Sequence, residues 1–406
     1  MFSQDSNSLF RLSNSFASCL VFSKAIALCE SLVANDVFQN PELHSYDEMN
    51  RPTLTHGDPW FEDGNIILVP REETTSSEPS KSEKPPIGFR VHKGVLSRHS
   101  EVLRDMFELL QPDAMYDNDD EATRYEGCQV VTMYDIPIEL SNLVKALYDG
   151  VTFNNRSVDD FFHLAGILRL STKYFITHLR TQAIKYLTQT WSYDLKGHDD
   201  MLDLAIRTPQ LSYSPDPSSP PKKLSYPYVH PIHVLNLART TDVRIVVPSA
   251  LYFLSLYPLA DLVRADHPKL QVMHPSKPSS SLQPSDLLNY TLMFQRRIDV
   301  ILDFVNTVVG QRASSPACTN GTGKVCTRNF QRLSTRLASS WVVRTGPFNF
   351  IGQAMTQVSQ DVESFCPACR DSFAIDVGAY REKFWEELPA LCGLPAWDVM
   401  KKEELS

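Results

Sequence analysis

"FRVHKGVLSRHSEVLRDMF", residues 89–107, opens as a strand and turns into two amphipathic helical pieces. Phe89 and Val91 alternate onto one face, as a half-buried strand requires. Ser100 then stands as a helix N-cap with Glu101 in the first turn, and Leu103, Met106, Phe107 and Leu110 repeat at i, i+3, i+4 and i+7. That face must be covered. It is core or contact surface, and Leu103, Met106, Phe107 and Leu110 are the candidate interaction residues. The turn itself carries His92 and Lys93, which invites a catalytic reading and a structural one. Catalysis would need a nucleophile beside the histidine and a third group to orient it. No G-x-S-x-G, H-E-x-x-H or P-loop pattern accompanies the pair, so His92 and Lys93 are expected to form a structural corner. The same search leaves no paired carboxylates or phosphate cradle, and the chain is expected not to be an enzyme.

Working outward, "WFEDGNIILVP" at 60–70 places an acidic Gly turn before the apolar run Ile66, Ile67, Leu68 and Val69, a short buried strand for which 87–91 is the returning partner. The polar, proline-bearing stretch at 70–86 between them predicts a flexible loop. Downstream, "PDAMYDNDDEATRYEG" at 112–127 is acidic but lacks the glycine and the closing glutamate of a calcium loop. "CQVVTMYDIP" gives another strand. Three helices follow at short spacing, with apolar stripes at Leu140, Leu143, Val144 and Leu147, at Phe161, Ala165 and Leu168, and at Phe175, Leu179, Ala183 and Leu187. Ser157 and Asp160 form a capping signature before the middle one. Hairpin, helices, strand, helices is the order of a compact α+β domain, with helices gathered around a small sheet.

These segments, in this order over 58–190, resemble the BTB/POZ domain: "WFEDGNIILV" for the first strand, "FRVHKGVLSRHSEVLRDMF", "VVTMYDIPIELSNLVKALYDG" and "DDFFHLAGILRLSTKYFITHLRTQAIKYL". The acidic first strand and the tail "FWEELPALCGLPAWDVM" are similar to a large group of fungal BTB proteins. Within the resemblance 70–86 is an insertion, and His92 becomes a buried hydrogen-bonding corner directed toward an acidic or backbone group near Glu62 or Asp63. The resemblance implies a protein-binding module that self-associates, most simply as a homodimer, and recruits other proteins such as cullin ubiquitin ligases or transcriptional corepressors.

Length and composition frame the rest. At 406 residues the chain has room for two or three domains, and its 27 prolines gather in a few stretches that suggest linkers. The expected organisation is a mostly disordered 1–50, a BTB/POZ domain over 51–190, a helical region with Pro/Ser-rich linkers over 191–310, and a cysteine-containing helical tail over 311–406. In the third block "PQLSYSPDPSSPPKKLSYPYVHP" and "DHPKLQVMHPSKPSSSLQP" are the expected linkers. The second precedes a long helix whose stripe is Ile298, Ile301, Leu302, Val305 and Val309, begun by Pro284 and Asp286. The apolar stretch at 16–34 is broken by Lys24 and Glu30 and preceded by Asp5, which argues against a signal peptide or spanning helix. An intracellular protein, cytoplasmic or nuclear, is expected. Net charge is −9, which disfavours nucleic acid as a general partner. A second function class stays open nonetheless: a zinc-stabilised nuclear regulator touching nucleic acid through Lys324, Arg328, Arg332, Arg336 and Arg344.

The tail holds one chemically pointed set. Cys318 and Cys326 are followed by Cys366-Pro-Ala-Cys369, and no histidine occurs after His274, so a local metal site would be all cysteine. A C-x2-C knuckle brings two sulfurs to one ion, and four thiolates make a closed structural zinc site with no catalytic position left open. Gly321 and Gly323 would permit the bend between the first two. Against zinc stand four unconnected reduced thiols, and a redox C-x-x-C, which would want a thioredoxin-like βαβ setting that the flanking "VESFCPACRDSF" does not provide.

Overall fold

The computed structural model describes residues 54–71, 85–109, 124–213, 222–321 and 323–406. The segment 1–50, nearly all of the 70–86 insertion, most of the acidic loop and Leu110 lie outside the described residues.

Three strands begin the described chain: β1 (Thr55–His56), β2 (Ile66–Pro70) and β3 (Ile87–Val91). Helices α1 (Lys93–His99) and α2 (Glu101–Leu109) follow, then β4 (Arg124–Tyr125) and β5 (Cys128–Met133). Helices α3 (Pro137–Asp149), α4 (Val158–Lys173) and α5 (Thr177–Thr190) close this part. The sheet order is β1-β3-β2-β5-β4. β2 and β3 are the expected hairpin, antiparallel with Ile66 opposite Val91 and Leu68 opposite Phe89, and β5 joins β2 in parallel, Leu68 beside Val131. The two short edge strands, β1 parallel to β3 and β4 antiparallel to β5, were not legible in the sequence. At two residues each, they are too short to show a period.

β2 reads as a continuous apolar run because both of its faces are covered. Ile66 and Leu68 enter the main core, while Ile67 and Val69 meet Cys128, Leu54 and Trp60 on the other side. The helix starts follow local chemistry. Ser100 Oγ accepts from the Leu103 N–H at 3.0 Å, and Ser157 Oγ accepts from Asp160 N–H at 3.1 Å.

The chain continues as α6 (Leu195–Arg207), the hairpin β6 (Leu211–Tyr213) with β7 (Lys222–Leu224), α7 (Pro231–Thr240), α8 (Val247–Leu254), α9 (Leu259–Arg264) and α10 (Pro284–Asp303). The last four helices are α11 (Lys324–Ser340), α12 (Pro347–Gln360), α13 (Pro367–Leu391) and α14 (Trp397–Leu405). The expected boundary at 190 is not a seam, for one hydrophobic cluster runs from Ile66 to Met400. α14 packs on α5, and Glu404 of α14 accepts from the backbone N–H groups of Arg244 and Ile245. Both expected linkers differ from expectation as well. Tyr226, Tyr228 and Val229 are buried in the first, Leu270, Val272 and Ser276 in the second. Residues 214–221 of the first lie outside the described residues, and the described parts of both stretches lie against the core.

α10 starts at Pro284 as expected, but its stripe shifts. Ile301, Val305 and Val309 are buried, whereas Ile298 is half-buried and Leu302 is 40% exposed, because the buried face of the α-helical part runs through Met293, Arg297, Val300 and Ile301; a π-helical segment follows at Phe304–Val309. Among the described residues no helix is long and apolar enough to cross a membrane.

Candidate metal centre

Cys366 caps the N-terminus of α13, with Pro367 in the first helical position and the Cys369 N–H donating to the Cys366 carbonyl at 3.1 Å. The proline's fixed φ suits a first turn, so Cys366-Pro-Ala-Cys369 becomes a knuckle with both sulfurs on one side. The opposing half comes from the loop before α11. Cys326 sits in the first turn of α11 and Cys318 eight residues earlier in the loop. Gly321 and Gly323 bend that loop back with φ of +60° and +75°. At Gly323 a Cβ would lie 2.2 Å from Ser314 Oγ, so the close approach as well as the angle demands glycine.

The four Sγ atoms all lie within 4.8 Å of one another. Cys318 to Cys326 is 3.8 Å and Cys318 to Cys366 is 3.6 Å, and the cysteines are free thiols. A tetrahedral ion with metal–sulfur bonds of about 2.3 Å sets sulfur–sulfur distances near ~3.8 Å, so the pocket has the dimensions of a four-thiolate metal site. Cys326, Cys366 and Cys369 are buried and Cys318 is half-buried. The surroundings suit anionic sulfur: Ser315 N–H points at Cys369 Sγ at 3.2 Å and Asn320 Nδ2 at Cys326 Sγ at 3.5 Å. Phe330, Phe365 and Phe373 stack into one wall nearby, and the Arg312 guanidinium lies over Phe330 and Phe373 while reaching Asp376 at 2.6 Å.

The thiols do not ionise alike. Burial pushes Cys366 up, but the N–H groups of Thr319 and Cys369 and the neighbouring thiols outweigh it and bring it down to about 6. Burial pushes Cys369 up to about 12, and Cys318 is raised too, where burial and the Cys366 sulfur outweigh the Asn320 N–H. A thiolate at Cys366 is thus favoured in place, while Cys318 and Cys369 need a cation beside them before they can share that charge.

The redox alternative finds half of its setting, because Cys366 does stand at a helix N-terminus. The other half is missing, since α12 and α13 flank the motif where a βαβ unit would have strands. Cys128 opens β5 with its thiol toward the Gly64 carbonyl, and Cys392 is buried at the end of α13; neither joins the four.

His92 occupies the strand-to-helix corner. Its Nε2 is 3.2 Å from Asp63 Oδ1, its Nδ1 is 2.9 Å from Tyr148 Oη, and its backbone N–H donates to the same hydroxyl at 2.8 Å. The His92 contact is the chief cause holding the Asp63 carboxyl below its usual range. The ring is half-buried where burial was expected, because Asp63 holds it from the solvent side. Lys93 spans α1 and α2 by donating through Nζ to the Phe107 carbonyl at 2.9 Å.

On α2 the expected contact stripe divides. Leu103 and Phe107 are core residues, 2% and 0% exposed, so they offer no surface to a partner. Met106 is half-buried and Leu109 is 85% exposed, which moves any contact face on this helix to its outer side. Arg344 also leaves its expected group, being paired with Asp261.

Sequence reasoning missed a set of buried ionisable groups: His198, His230, His233 and Arg297, each 0–1% exposed, and Lys269 at 7%. Arg297 donates to the carbonyls of Val343 and Thr345 at 2.6 Å each. Nothing in the pattern announces them, since a lone histidine or arginine within an amphipathic stretch reads equally as surface. No protein-family model matches the chain, and no curated protein matches it.

Proposed function

We propose that this chain is a protein-interaction protein of BTB/POZ type, which self-associates through its N-terminal α+β part and recruits a protein partner, with a structural zinc ion fastening its C-terminal helices. The observation that carries the interaction reading is the arrangement of residues 55–190: a β-hairpin, two short helices, a strand returning parallel to the first, and three packed helices. That order and pairing agree with the family the sequence resembles. The corner at His92 supports it further, with His92, Asp63 and Tyr148 facing one another in a fastening geometry.

For the ion, the chemistry of the donors selects among metals. Four cysteine sulfurs in near-tetrahedral spacing favour zinc over magnesium or calcium, which take oxygen. Closed ligation leaves no position for water or substrate, so the ion's role is to tie the loop at 311–323 to the start of α13.

Light scattering coupled to size exclusion tests self-association directly. The expected mass is twice 46.0 kDa, unchanged between low and high salt, and a monomer at micromolar concentration overturns the reading. A pull-down of the tagged chain from its native cells then identifies the partner. Recovery of a cullin supports a ubiquitin-ligase adaptor, whereas recovery of chromatin proteins without a cullin favours a regulator.

A further inference from the structure

Arginine in this chain is mostly a clamp. Arg169 holds Glu139, Arg239 holds Asp286, Arg244 holds Glu403 and Glu404, Arg296 holds Glu387, and Arg381 holds Asp199. α11 departs from that usage. Lys324, Arg328, Arg332 and Arg336 recur every four residues, all four are exposed, and none makes an ion pair among the described residues. The nearest to a partner is Arg332, 3.4 Å from the amide oxygen of Asn329 on its own helix.

The opposite face of the same helix is firmly held, with Cys326, Phe330, Leu333 and Leu337 buried. The cationic side chains are therefore presented on a rigid support. At about 1.5 Å per residue they span roughly 18 Å, and each four-residue step turns only about 40° around the axis. They form one shallow spiral ridge. α12, next in the chain, carries no charged residue at all in "PFNFIGQAMTQVSQ". Exposed Glu363 stands in the loop where Asn329 bonds the Ser364 carbonyl, and it makes no ion pair among the described residues.

We propose that the outer face of α11 is a docking surface for an acidic helical segment of a partner protein, with carboxylates repeating every four residues to meet the ridge. Guanidinium forks donate two parallel hydrogen bonds to a carboxylate, and a four-residue repeat on the partner matches the rise and turn of the arginines. A long nucleic acid would be met by the same ridge but repelled by the rest of a chain of net charge −9. A short acidic segment feels only the local field, because charges beyond about 10 Å are screened at moderate salt.

α11 lies outside residues 55–190, to which self-association is assigned, so its test stands apart from that reading. Binding is read by fluorescence anisotropy on the full chain. The probes are a labelled helical 16-residue peptide with Glu at every fourth position, its Gln counterpart, and single- and double-stranded DNA of mixed sequence. The expected result is binding of the Glu peptide alone, weakening about tenfold or more between 50 and 300 mM salt. Arg328→Glu/Arg332→Glu/Arg336→Glu lowers it by about tenfold or more with an unchanged melting curve, while Arg344→Glu, outside the ridge, leaves it within about twofold. Equal binding of the Gln peptide, no binding of either peptide at 50 mM salt, or tighter binding of DNA each overturns the proposal, the last in favour of a nucleic-acid face.

Discussion

Each of the four clustered cysteines is set by a different local device: a helix cap for Cys366, the turn that follows it for Cys369, a first helical turn for Cys326, and a glycine-bent loop for Cys318. Loss of one donor should therefore cost the ion without unmaking the others' geometry. Purified chain is expected to carry one zinc per molecule by elemental analysis, and Cys366→Ser or Cys326→Ser to carry almost none and melt at lower temperature. Equal metal content in wild type and variant would remove the site. Asn320→Leu is a gentler probe, because it takes away only the amide that faces Cys326, and it should weaken metal affinity by about 10-fold. The pair C-x2-C was legible because its spacing is itself the geometry. The partnership with Cys318 and Cys326 was legible only as a possibility, since a forty-residue interval fixes no distance.

Among the elements, α4 and α10 show two kinds of control. α4 is started by sequence-local chemistry, and Ser157→Ala should cost about 1 kcal/mol in denaturant unfolding. α10 is held by a contact across 46 and 48 residues, where buried Arg297 satisfies the carbonyls of Val343 and Thr345. Arg297→Met keeps most of the side chain's packing but leaves both carbonyls unpaired, and the expected loss is about 2–4 kcal/mol. A smaller loss than that of Ser157→Ala would mean that the loop at 341–346 finds other donors. The capping signature at Ser157 could be seen in advance for the reason that its partners lie three residues apart. Arg297 could not.

At the scale of the whole molecule, continuity of the core decides stability. Phe162 stacks on His274 at 4.6 Å, Asn155 reaches Tyr226 at 2.6 Å, and Arg180 donates to the Thr241 carbonyl at 3.1 Å, so contacts cross residue 190 on several sides. A fragment ending there should melt well below the full chain in circular dichroism; an equal melting temperature would restore the boundary. Acid is the second lever. Burial lowers His198 to about 3, His230 to about 2 and His233 to about 4, all well below the ordinary 6.5. Between those values and 6.5 the unfolded chain binds protons that the folded chain refuses, so their contribution is complete above pH 6.5 and is lost as pH falls. Three such groups imply a slope of about 4 kcal/mol per pH unit between roughly pH 6 and pH 4. Glu404, raised chiefly by burial, works the other way but is one group against three. Urea midpoints at pH 7.5, 6 and 5 should fall steeply, with His198→Leu flattening the slope, and a level series would contradict the burial of these rings.

What the sequence by itself determined are the features whose physics is local: the apolar run of β2, the hairpin, the serine caps at Ser100 and Ser157, the strand-to-helix corner at His92, and the cysteine knuckle that begins α13. Backbone period, capping and turn chemistry act over a few residues, so the order of side chains already contains them. Only the tertiary structure decided which strand runs beside β2, that Tyr226, Tyr228, Leu270 and Val272 beside the prolines are buried, that Leu103 and Phe107 face inward, and that four cysteines from two distant stretches meet. Those outcomes depend on which apolar faces cover one another, and that choice is made by the burial of the whole core at once.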